Sequence, residues 1–65
     1  MKIRYFPQTD TLYIELRVAD IAETRDVDEN TQVDVDAKGA VCGITIEHAS
    51  QRTDLPNLSF EQVAA

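Results

Sequence analysis

The chain holds one cysteine, Cys42, and one histidine, His48, in 65 residues. A single cysteine excludes an intrachain disulfide, and one Cys with one His cannot supply the four soft ligands of a structural zinc site. Glycine is nearly absent: Gly39 and Gly43 stand alone, so there is no glycine-rich loop to cradle a phosphate. Basic residues are few, six against twelve acids for a net charge of −6. That balance leaves no basic face for a phosphate backbone and argues against nucleic acid. No apolar run approaches the roughly 20 residues of a membrane span. The opening Met-Lys-Ile-Arg-Tyr-Phe-Pro has no apolar core of a signal peptide. With a lone cysteine, these absences lead us to expect a protein of the reducing cytoplasm, without membrane partner or cofactor.

What is present is one small domain, residues 1–65. A chain of this size buries only about 60% of the surface its unfolded form exposes. Its core supplies roughly 3–5 kcal/mol of net stability. With disulfide and zinc excluded, self-association into a homodimer is the expected reinforcement.

Residues 2–6 and 11–17 alternate apolar and polar, the period of a half-buried strand. Pro7-Gln8-Thr9-Asp10 has turn composition. A four-residue loop there sets Phe6 opposite Thr11, Tyr5 opposite Leu12, Arg4 opposite Tyr13, Ile3 opposite Ile14 and Lys2 opposite Glu15. Ile3, Tyr5, Leu12, Ile14 and Leu16 then share one face, and a one-residue slip would mix the faces. Residues 22–28 are polar and read as a charged edge strand, with Glu29-Asn30 as a turn. Residues 31–35 alternate again, and Asp36-Ala37-Lys38-Gly39 forms a tight turn into 40–47, the most apolar and so interior strand. A four-residue loop places Val33 and Val35 with Cys42 and Ile44. A three-residue loop with a bulge would pair Val35 with Val41 instead. The first keeps Asp34 and Asp36 outward and is preferred. Residues 48–52 suit a helical turn. Ser59 and Gln62 have capping-box spacing, with Phe60 and Val63 on one side of a short helix. The expected fold is α+β, mostly β: an antiparallel meander of about five strands with a short C-terminal helix. Residues 1–52 form its β core, and 53–65 an extension carrying a short helix.

Several constellations invite a chemical reading. Asp34-Val35-Asp36-Ala37-Lys38-Gly39 resembles the start of a calcium loop, but Lys38 stands at the fifth position and Thr45 at the twelfth, where ligands belong. A hairpin turn fits better. Cys42, His48 and Ser50 form no local nucleophile arrangement, and nothing near them lowers a nucleophile's pKa. Tyr5 and Phe60 read as core, and Tyr13 as an outward residue beside Arg4. Asp20, Glu23, Asp26, Asp28, Glu29, Asp34 and Asp36 face one base, Arg25, between residues 20 and 36. This acidic segment is a solvated, edge-protecting face, a docking surface for a basic protein or, least favoured, a weak divalent-ion site.

The chain also resembles a known family. Lys2-Ile3-Arg4-Tyr5 leads to Asp10-Thr11-Leu12-Tyr13-Ile14-Glu15-Leu16. Ile21-Ala22-Glu23-Thr24 follows, then Val33-Asp34-Val35-Asp36 with Gly39, and Gly43-Ile44-Thr45-Ile46-Glu47-His48-Ala49-Ser50. Over residues 1–52 this is similar to the small prokaryotic domain of unknown function family twenty-two eighty-three. It departs at Phe6, where the family usually has Asp, and at Thr45, where it often has Glu. The resemblance implies a β-meander with a short helical C-terminus. It supplies no catalytic residues. Through members that neighbour small toxin-like genes, it implies an antitoxin-like role.

Three functions follow as expectations. One is a protein-interaction module, antitoxin-like, docking a basic partner through the acidic segment. The second is a self-assembling structural or small-ligand-binding homo-oligomer. An enzyme is the least favoured, since it would need His48 and carboxylates gathered across a subunit interface.

Overall fold

A computed structural model describes residues 1–64. The elements run β1 (Lys2–Phe6), β2 (Thr11–Glu15), β3 (Glu23–Asp28), β4 (Thr31–Val35), β5 (Val41–Glu47) and α1 (Ala49–Arg52). All five strands pair antiparallel in one sheet of order β1-β2-β5-β4-β3. The mostly-β class with a short helix is as expected, but the strand order is not that of a simple meander. From β2 the chain crosses the ends of β5 and β4 and returns along the far edge. Leu16 N–H donates to Cys42 O and Ala22 N–H to Val35 O, each at 2.9 Å, which hold the crossing down. The apolar β5 takes the centre, where both its edges pair. The polar β3 lies outermost, where charge discourages pairing with another chain.

The β1–β2 register is the expected one at every position, from Lys2 opposite Glu15 to Phe6 opposite Thr11. Across the sheet, Ile3, Ile14, Ile44 and Val33 form one row that ends at Arg25. Tyr5, Leu12, Ile46 and Thr31 form the next row on the same face.

The β4–β5 connection departs from the preferred four-residue loop. Val35 pairs with Val41, and a register shift between Asp34 and Val35 restores Val33 opposite Ile44. Asp36 N–H bonds Ala40 O at 2.9 Å and closes the loop one residue tighter than expected. The extra β5 residue is absorbed as a bulge, and Val35 and Cys42 both stay buried. The turn chemistry itself is as expected. Asp36 Oδ1 accepts from Lys38 N–H and Ala40 N–H, and Gly39 sits at φ 82, where a side chain would be strained.

The other face of the sheet is polar and centred on Gly43. The Tyr13 ring lies directly over this glycine, and a Cβ there would run into its hydroxyl and Cζ. Tyr13 still stands opposite Arg4, but it is half-buried rather than the outward residue expected. Its hydroxyl crosses β5 to donate to Asp34 Oδ2 at 2.8 Å, while the Thr24 hydroxyl donates to Asp34 Oδ1 at 2.6 Å. One carboxylate thus links β2, β4 and β3. The Asp34 bond, with some desolvation, pushes the Tyr13 pKa up to about 12.

Among the described residues only Leu12, Val35, Cys42 and Ala49 are buried hydrophobics. The short helix is α1, at residues 49–52. The helix expected at Ser59–Gln62 does not form, and residues 57–64 carry no regular structure. A capping pattern cannot nucleate so short a helix without a surface to bury it against. Phe60, expected in the core, is 88% exposed. Ala65, the last residue of the expected extension, lies outside the described residues. Among the described residues no helix is long and apolar enough to cross a membrane.

Two measurements check this packing. Gly43→Ala should cost on the order of 1–3 kcal/mol in urea melts. The same change in a Tyr13→Ala background should cost much less, and equal costs would reject the ring-over-glycine contact. In an alkaline absorbance titration, neither of the chain's two tyrosines should ionise at the ordinary 10, since Tyr5 is raised as well. The fold favours the neutral phenols, so the stability they add is full below 10 and is lost as pH climbs towards about 12. Asp34→Asn should return one ionisation towards 10.

Candidate interaction surface

The apolar face gains its partial cover from a staple built on Asp10. This residue ends the β1–β2 turn in the left-handed region, φ 52, a conformation Asp tolerates better than most residues. There its carboxylate faces both β1 and α1. Oδ1 accepts from the Tyr5 hydroxyl at 2.6 Å and from Ser50 N–H at 3.0 Å, and Oδ2 accepts from the Ser50 hydroxyl at 2.7 Å. Its backbone carbonyl accepts from Ala49 N–H at 2.9 Å. His48, the helix N-cap, is left-handed too (φ 55) and makes no side-chain cap. Asp10 therefore caps α1 from the adjoining β1–β2 turn, satisfying two of the amides that a helix start leaves unpaired. The Tyr5 hydroxyl and then Ser50 hold the Asp10 carboxyl below the ordinary carboxylate value. Ala49 is sealed against the sheet, with no exposure.

A second staple holds the far end of α1. Arg52 donates to Asn30 O at 2.7 Å, Glu47 O at 3.1 Å and the Thr31 hydroxyl at 2.6 Å. The helix is thereby fixed to both the β1–β2 and β3–β4 turns. The Thr53 hydroxyl donates to Ala49 O at 2.7 Å and ends it. The chain then turns back, Asn57 N–H bonding Asp54 O at 2.8 Å. Between this return and the sheet lies an open cleft of about 420 Å³, with Ile3, Tyr5 and Leu12 as floor and Ser50, Leu55, Pro56 and Leu58 as walls. Its polar groups, the Tyr5 and Ser50 hydroxyls, already donate to Asp10. The surface it offers a visitor is apolar.

Cover stops there. Ile14, Ile44 and Val33 are only half-buried, and Ile3 and Tyr5 are 39% and 41% exposed. Tyr5, expected in the core, instead floors the open cleft. Among the described residues eleven large apolar side chains are exposed, against four buried hydrophobics. Charge stays at the margin of this face, where Arg25 pairs with Glu23 at 3.1 Å.

The seven acids between residues 20 and 36 do not form one surface. Asp34 is held by Tyr13 and Thr24, and Asp36 by Arg17 and its own turn. Asp28 accepts from Asn30 N–H, and Asp26 from the Gln32 amide. Glu23 pairs with Arg25. Asp20 and Glu29 stand apart from these contacts. Asp28 and Asp36 are both held below the ordinary carboxylate range, chiefly by the Asn30 amide and the Arg17 guanidinium respectively.

Cys42 is buried, its thiol donating to Asp34 O at 3.4 Å. The Ser50 hydroxyl is committed to Asp10, and His48 is exposed. Among the described residues no three His, Cys, Asp or Glu side chains gather as a metal-binding group. The Asp10–Ser50 contact spans 40 residues of chain, so no local spacing signals it. Both residues stand within the family-like motifs, which would have been the only pointer.

The chain matches the profile of the family described as Protein of unknown function (DUF2283) over residues 2–50, and it belongs to that family. No curated protein and no solved structure matches it. The match runs from β1 to Ser50 and so takes in the whole sheet and the Asp10 staple.

Asp10→Asn should speed hydrogen exchange of the Ala49 and Ser50 amides while the β4–β5 amides stay protected; uniform change would reject the staple. In the parent chain, Asp10, Asp28 and Asp36 all have depressed pKa values. Their contribution to stability is full above the ordinary value of 3.8. It is lost as pH falls from there through the folded values. The thermal midpoint should therefore hold from pH 7 to about 5 and drop below about 4, less steeply in Asp10→Asn.

Proposed function

Since membership of that family brings no activity with it, we propose that the chain is a non-catalytic protein-interaction module that self-associates. A second copy completes its apolar sheet face. The observation that carries this reading is the imbalance of the core, with four buried hydrophobics beneath a face whose central isoleucines are half-open. Contiguous apolar surface of this kind marks an interaction site. The molecule as a whole is a slab of 36 × 33 × 18 Å, whose broad sides are of the size that a standard interface of roughly 800 Å² per partner takes up. Apolar residues at the centre of the sheet face and the Glu23–Arg25 pair at its margin match the anatomy of such interfaces. A reducing cytoplasmic setting suits the free, buried Cys42.

A second reading, antitoxin-like docking of a basic protein, draws on the net charge of −6 and on the fully exposed edge strand β3. A basic strand could add there, with Asp20 and Glu29 still free to meet it. It is the weaker reading, because five of the seven acids already have partners within the chain.

Salt separates the two. Each copy carries −6, so screening should tighten a homodimer and loosen an acid–base complex. Sedimentation of the chain from about 50 to about 500 mM salt should show a dimer that strengthens. Ile3→Asp should leave a folded monomer by circular dichroism. A parent chain monomeric throughout would sink self-association. A basic protein retained from host extract at low salt and lost at high salt would favour the second reading.

A further inference from the structure

Resting on the self-association reading, we infer that the segment Ser59–Val63 of each copy, leaving its own rim at Leu58, seats in the apolar cleft of its partner. The cleft is open and apolar, and its hydroxyls are already satisfied by Asp10. It therefore lacks the free polar groups that orient a polar small molecule, and it suits hydrocarbon side chains. Leu58 stands at its rim. Beyond the rim, Phe60 and Val63 are 88% and 75% exposed, with nothing to bury them. Residues 59–64, Ser-Phe-Glu-Gln-Val-Ala, contain no Gly, Pro, Asn or Asp. Ser59 alone among them favours a turn, and the segment leaves Phe60 and Val63 unpacked on its own protomer. Extended, Leu58 to Val63 reaches about 16 Å, enough to pass from one rim into a facing cleft.

In a two-fold dimer what one copy does to its partner the partner does in return, so the exchange is reciprocal. Phe60 is the anchor, since aromatic residues fill such pockets at the centres of interfaces. The segment carries one charge, Glu61, which stays at the polar margin.

Phe60→Ser and Val63→Ser in the full-length chain test this, because both positions are exposed and their replacement should leave the protomer folded. Each should raise the dimer dissociation constant, Phe60→Ser by at least about tenfold. Val18→Ser, at an equally exposed apolar site in the β2–β3 connection (90% exposed), should not change it. A sample mixing isotope-labelled and unlabelled chains should show contacts between the Phe60 ring and the Ile3 and Leu12 methyls across the two chains. Unchanged dimerisation in both serine variants would overturn the exchange and leave self-association standing, as would Phe60 contacts found only within one chain. A parent chain that stays monomeric would remove the self-association reading and this inference with it.

Discussion

The arrangement of this chain depends on one carboxylate. Asp10 holds Tyr5 of β1, the backbone and hydroxyl of Ser50, and through its own carbonyl the amide of Ala49. A four-residue helix has almost no stability of its own. Here its first amides are paired by a residue of the adjoining β1–β2 turn, and its last residue, Arg52, is tied to three acceptors. With α1 fixed, Ala49 closes one end of the apolar face, and the following residues wall a cleft. Without the helix in place the sheet would have two open faces and no cleft.

The two faces solve different problems. On the polar face, Tyr13 lies across Gly43 and spends its hydroxyl on Asp34, which also binds Thr24. Hydrogen bonds between side chains link the strands there, and no second layer is required. The apolar face has no such internal solution. Its rows of Ile, Leu and Val gain only by leaving water, and one short helix covers too little of them. The proposed self-association rests on that asymmetry.

The sequence reveals the strands well and their long-range ties poorly. The β1–β2 register could be read in full, because period-two alternation and a four-residue loop allow one consistent pairing. Between β4 and β5 the same logic failed at the bulge. An extra residue in a strand leaves the apolar pattern almost unchanged, so the Val35–Val41 pairing had no distinct signature. The capping spacing of Ser59 and Gln62 pointed to a helix that has nothing to pack against. The acidic segment looked like one surface because its members are neighbours in sequence. In the fold they divide between turn caps, the Tyr13 network and ion pairs. The Asp10–Ser50 contact lay beyond local reading, since residues 40 apart meet only once the sheet exists.

The two free edges of the sheet differ in charge. On β1 stand Lys2 and Arg4 with no acid, while β3 carries Glu23, Asp26 and Asp28 against Arg25. Four strand spacings of about 4.8 Å separate them. The slab thus has an electric dipole lying in the plane of the sheet, superimposed on its net negative charge. In the field of any charged body it turns before it touches, the β3 edge towards positive potential and the β1 edge towards negative. The broad apolar face lies parallel to that axis, so such a field leaves it turned to the side, free to meet another molecule.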